Sequence, residues 1–95
     1  MARARAAGLD AVALTDHDTV TGHAPARQSL PAGLTLIPGM EMSCRQDGRS
    51  VHMLAFLFDP DEPRLAAECA RIRAGRDERA RAMVARLADL GVPVT

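Results

Sequence analysis

The sequence predicts a mixed α/β chain, and three observations carry that prediction. Short apolar runs at residues 11–15, 34–43 and 50–58 are bounded by turn residues, the pattern of strands. From Arg64 to Leu90 the apolar residues recur at three- and four-residue steps, the pattern of an amphipathic helix. Of the 95 residues, 47% are apolar and 25% charged, ordinary values for one small domain with one modest core.

The elements follow in order. Residues 2–7 are rich in Ala and Arg, both good helix formers, and Gly8 supplies a stop. Residues 11–15, AVALT, make the first strand, with Gly-Leu-Asp before it and Asp-His-Asp after it. A short helix is expected from about Val20 to Leu30, capped by Asp18 or Thr19, with Pro25 tolerable only in its first turn. Pro31-Ala32-Gly33 breaks the chain. Residues 34–43, LTLIPGMEMS, form the second buried strand, in which Pro38-Gly39 signals a bend or a strand end. Gln46-Asp47-Gly48 is a turn signal, so residues 42–58 are expected to fold as a hairpin. Asp59-Pro60-Asp61-Glu62-Pro63 opens the long helix, with Pro63 near its first position and acids at the positive end of its dipole. Gly75 divides that helical stretch into two expected helices, and Gly91 closes it.

Composition excludes several function classes. Net charge is zero, so no global basic field points to nucleic acid. Trp and Tyr are absent and only two Phe occur, which leaves almost nothing for base stacking. Two cysteines, Cys44 and Cys69, make no disulfide framework; they read as unpaired packing residues in a reduced, cytoplasmic setting. No apolar run approaches the ~20 residues of a membrane span, and MARARAAGLDAV has no signal-peptide core, so no membrane partner is expected.

Three side chains remain that ask for a chemical role: His17, Glu41 and His52. His17 sits just past the first strand, between Asp16 and Asp18. Glu41 is the one charge inside Leu34 to Met42, and a lone charge there is costly to bury without a partner. His52 alternates onto a face with Leu54, Phe56 and Phe58. Two imidazoles and a carboxylate from three strand ends are suitable ligands for Zn, Mn or Fe. Each also has a plainer reading: a core histidine, an edge-strand glutamate, a turn aspartate or an N-cap. His23, in the short helix, is expected to be solvated and outside the site. The long helix carries Arg64, Arg71, Arg73, Arg76, Arg79, Arg81 and Arg86, mostly a solvated face with i,i+4 pairs. Arg76 differs, because it falls on the otherwise apolar stripe between Ile72 and Ala80, and a guanidinium binds phosphate bidentately.

These residues also carry a resemblance. From Ala4 to Gly22 the chain contains Gly-Leu-Asp, then Ala-Leu-Thr-Asp-His-Asp-Thr and a closing Gly. Leu36-Ile37-Pro38-Gly39-Met40-Glu41-Met42-Ser43-Cys44 follows, and then Val51-His52-Met53-Leu54. In this order the three motifs resemble the PHP (polymerase and histidinol phosphatase) family. The TDHDTxxG form is similar to its stand-alone phosphoesterase branch, which includes 3′,5′-nucleoside bisphosphate phosphatases and 5′-3′ exoribonucleases.

The resemblance implies a distorted seven-stranded β/α barrel with two or three metals at the strand C-termini. It implies that His17 and His52 are metal ligands, that Glu41 bridges two ions, and that Asp16 and Asp18 orient the adjoining ligand. The metal is expected to be Mn, with Fe or Zn as alternatives. Residues 1–61 would form a partial barrel and residues 62–95 the start of a helical insertion, whose Arg76 is expected to contact substrate phosphate. The substrate would be a phosphorylated small molecule or oligonucleotide, hydrolysed by a metal-activated water. The family's H-x-H and Ser-Asp-Gly motifs would lie before Met1, and its Asp-x-His motif after Thr95. These 95 residues alone are therefore expected to have little activity and to associate with copies of themselves or with a missing segment. The alternatives are a non-catalytic α/β fragment, a histidinol phosphate phosphatase and a polymerase-associated PHP module. The residues after TDH and the insertion-like helix argue against the last.

Overall fold

The computed structural model describes residues 1–94; Thr95, the end of the expected insertion segment, lies outside the described residues. The element order is α1 (Ala2–Ala6), β1 (Ala11–Leu14), α2 (His23–Gln28), β2 (Thr35–Gln46), β3 (Arg49–Phe56) and α3 (Pro63–Asp89). The chain is mixed α/β with one three-stranded sheet in the order β1-β2-β3. β1 runs parallel to β2, with Ala11 opposite Thr35 and Leu14 opposite Pro38. β2 and β3 form the expected antiparallel hairpin, from Gly39 opposite Phe56 to Gln46 opposite Arg49.

The hairpin turn is Asp47-Gly48, both at positive φ (49° and 75°), the backbone that a two-residue turn between twisted strands requires. Of the two readings of Pro38-Gly39, a bend or a strand end, the strand end is excluded, because β2 runs through it. Pairing with β3 begins at Gly39, so the N–H that Pro38 lacks is not missed on that side. Gly39 is needed for a different reason. A Cβ there would lie 2.9 Å from Thr15 Cγ2 and 3.0 Å from the Leu14 carbonyl oxygen, so β1 and β2 approach too closely for any side chain.

Two helices also differ from expectation. α2 is shorter, and its N-cap is Gly22, not Asp18 or Thr19; Asp18 is drawn into the interior instead. α3 is one unbroken helix through Gly75. A single glycine weakens a helix by about 1 kcal/mol but does not remove the hydrogen bonds that continue it. Its start is as read, with Pro63 at the first position, and Glu62 as N-cap accepts from the Leu65 N–H at 2.7 Å.

The core is small. Met40 is fully buried, Leu34, Ala26 and Cys69 nearly so, and Cys69 of α3 meets Met40 of β2 with sulfurs 3.6 Å apart. β3 forms as a strand, with Val51, Met53, Leu54 and Phe56 all exposed. No helix among the described residues is long and apolar enough to cross a membrane.

Candidate metal centre

The parallel pairing of β1 with β2 does not stop at Leu14. After a two-residue break it resumes in the same register, with His17 opposite Glu41. The Glu41 N–H donates to the Asp16 carbonyl (3.1 Å), and its carbonyl accepts from the Asp18 N–H (2.9 Å). Backbone pairing therefore fixes the His17 loop against the middle of β2. Across the hairpin, Ser43 faces His52 and Glu41 faces Leu54, which makes Glu41 and His52 diagonal neighbours on one face.

The three side chains converge as a result. Glu41 Oε1 lies 3.3 Å from His17 Nε2 and 2.8 Å from His52 Nδ1. The two imidazoles meet edge to face, with centroids 4.6 Å apart. One donor atom from each residue lies within 4.8 Å of the other two. A tetrahedral ion with bonds of ~2.1 Å sets its donors about 3.4 Å apart, so small side-chain rotations would close this set on one ion. Three protein ligands with further positions open is the pattern of a catalytic site, not a closed structural one. The donor set fits a divalent metal.

Asp18 is placed differently from its neighbours. It is 0% exposed and sits at a left-handed φ of 54°. Its Oδ1 accepts from the Ser43 N–H at 2.7 Å, and its Oδ2 accepts from the Ser43 hydroxyl at 2.7 Å and from Arg76 Nη2 at 2.5 Å. Arg73 Nη1 donates to its carbonyl oxygen. Burial alone would raise the Asp18 carboxyl's pKa; the Ser43 and Arg76 donors outweigh it and hold the pKa below the ordinary carboxylate value. Asp16 is exposed, beside the His17 backbone.

A cleft of about 730 Å³ opens beside the cluster, between β2, β3 and α3. Its lining includes His17 and His52, Ser43 and Cys44, and Arg45, Arg71, Arg76 and Arg79. Arg71 is tied to Glu68 (2.9 Å from Nε) and Arg76 to Asp18. Among the described residues, Arg45 and Arg79 form no ion pair.

His23 is not solvated as expected. It is 6% exposed, and its Nε2–H donates to the Gly39 carbonyl at 2.8 Å, which fixes the tautomer and leaves Nδ1 buried without a partner. Arg73, expected on the solvated face of the helix, and Ser43, for which no role was expected, both bond to Asp18. The signals were present: Ser43 alternates onto the Glu41 face, and Arg73 lies one helical turn from Arg76. Cys44 and Cys69 are both free, and burial pushes the Cys69 thiol up.

No protein-family model matches the chain. It is 42% identical over 92 residues to a 3′,5′-nucleoside bisphosphate phosphatase of Chromobacterium violaceum, covering 96% of this chain and 32% of that protein. It is 35% identical over 92 residues to a 5′-3′ exoribonuclease of Haemophilus influenzae, covering 96% of this chain and 34% of that one. Among solved structures, an amidohydrolase from Chromobacterium violaceum with bound sulfate superposes with a TM-score of 0.84 at 38% identity, over 98% of this chain and 33% of that one. A structure from Bifidobacterium adolescentis assigned as a metal-dependent phosphoesterase superposes with a TM-score of 0.83 at 40% identity, over 93% and 31%. The named relatives and the metal-dependent phosphoesterase among the superposed structures are consistent with a partial PHP-type domain. It spans about a third of the length of the curated relatives it matches.

Proposed function

We propose that this chain carries part of the metal centre and part of the phosphate-binding cleft of a phosphoesterase acting on nucleotides or short oligonucleotides. The observation that carries the reading is the convergence of His17, Glu41 and His52 at the mouth of an arginine-lined cleft. The three residues would hold a divalent ion, Mn before Fe or Zn, with Glu41 between the two imidazoles. When bound, such ions supply a low-pKa water and neutralise phosphate oxygens.

The chain's own groups have separate tasks. His17 and His52 would offer imidazole nitrogens and Glu41 a carboxylate oxygen to the ion, beside a cleft that could admit an anionic substrate. Arg45, Arg76 and Arg79 place guanidinium forks along the cleft, where they would orient a phosphate towards the three ligands. Residues 1–61 would form a segment of a β/α barrel, and residues 62–95 the start of a helical insertion. Two free thiols support a reducing, cytoplasmic setting.

The substrate class is supported by the relatives, one named for nucleoside bisphosphates and one for RNA. The test is Mn²⁺ uptake by the chain and by His17→Ala, Glu41→Ala and His52→Ala. Each substitution is expected to weaken uptake at least tenfold. Equal uptake by all four proteins would overturn the reading.

A further inference from the structure

Asp18 lies next to a candidate ligand, yet it is not arranged as one. Its carboxylate is fully buried and already accepts three hydrogen bonds, two from Ser43 and one from Arg76. None of its donors is His17, so it does not orient that imidazole through a side-chain contact. What it does hold is α3. Arg76 Nη2 reaches both Asp18 Oδ2 and, at 3.1 Å, Ser43 Oγ, while Arg73 bonds the Asp18 carbonyl.

Arg76 is therefore used on one edge only. Its Nε and Nη1 groups have no hydrogen-bond partner among the described residues, and its side chain is 45% exposed at the wall of the cleft that His17 and His52 also line. A free arginine side chain samples many rotamers, and ordering it costs conformational entropy. One fixed edge removes most of that cost before an anion arrives. The backbone supports the same arrangement: the Asp18 N–H is bonded to Glu41, so the residue that clamps Arg76 is also pinned to a candidate ligand.

We propose that Asp18 is a positioning residue, which clamps one edge of Arg76 so that the other edge faces a phosphate held beside His17, Glu41 and His52. The inference rests on the reading of the cleft as a phosphate site. Asp18 itself touches neither phosphate nor metal.

The test is a titration of the chain with inorganic phosphate, followed by NMR of the arginine side-chain N–H groups, with Mn²⁺ uptake measured in parallel. Asp18→Asn suits it, because Asn tolerates the left-handed backbone and changes the acceptor without changing the size. Asp18→Asn is expected to weaken phosphate binding about tenfold, as is Arg76→Ala, since a charge-assisted bond is worth about that factor. In the Arg76→Ala background, Asp18→Asn should add nothing, and Mn²⁺ uptake should stay within twofold of the parent. An unchanged phosphate affinity in Asp18→Asn overturns the proposal, as does an equal loss in both backgrounds, or a joint loss of phosphate and Mn²⁺. If Asp18→Asn does not fold, the half-exposed Arg76→Ala still decides: unchanged phosphate affinity overturns the proposal. A parent chain that binds no phosphate overturns the cleft reading along with it. A parent that binds, with Asp18→Asn unaffected, overturns the clamp alone.

Discussion

Gly39 shows how little freedom the strand beneath the metal centre has. A methyl group there would meet Thr15 Cγ2 at 2.9 Å, Leu14 carbonyl oxygen at 3.0 Å and Phe56 Cδ1 at 3.4 Å. The first is a side chain that can move, but the second is backbone, held in the sheet. Gly39→Ala is therefore expected to destabilise the chain by about 1–3 kcal/mol, the range for overpacking a tight site, read from urea unfolding. A midpoint equal to the parent's would show that β1 can retreat. Residue-scale legibility was uneven for a physical reason. Glu41 and His52 stood out because each is a ligand type on an otherwise apolar strand face, and His17 because two carboxylates flank it where a strand ends. The burial of His23 and Asp18 was not legible, because it depends on what β2 and α3 lay over them. No local pattern distinguishes a solvated helix histidine from one whose Nε2–H finds the Gly39 carbonyl.

At the scale of elements, turn chemistry was the most readable signal. Asp47-Gly48 and Glu62-Pro63 each perform the local task their residue types predict. Glycine was less informative, since it marks a stop in Gly91 and interrupts nothing in Gly75. Gly75 sits at a change in the character of α3. Before it, Leu65, Cys69 and Ile72 are buried or half-buried; beyond it every residue of the helix is exposed. Nothing lies within 4 Å of a Cβ added at Gly75. Gly75→Ala should therefore raise helix stability by about 0.5–1 kcal/mol, visible as a higher midpoint in thermal unfolding followed by circular dichroism. A lower midpoint would mean that the glycine is needed to let the helix bend over the cleft.

At the scale of the whole molecule, the chain leaves much of its apolar surface bare. Its radius of gyration is 17.6 Å, against about 12 Å for a compact domain of this length. Its accessible surface is 7033 Å², whereas a compact monomer of this mass shows roughly 5,300 Å². The excess has an identifiable source. Met83, Val84, Leu87 and Leu90 form a stripe on the far half of α3, and Met53, Leu54, Phe56 and Leu57 lie open on and just after β3. Hydrophobic periodicity reported the stripe correctly, but a pattern within one helix cannot say what covers it. Surface of this kind, alongside an edge strand in β3 with no outer neighbour, favours association in water. In sedimentation velocity the 95-residue chain is expected to show a weight-average mass that rises with concentration above the 10.1 kDa of one copy. Leu87→Glu with Leu90→Glu should lower that rise while leaving the His17–Glu41–His52 cluster intact, because both residues lie beyond the part of α3 that meets the sheet. A mass fixed at one copy across the range would mean that the long helix folds back onto these faces in solution.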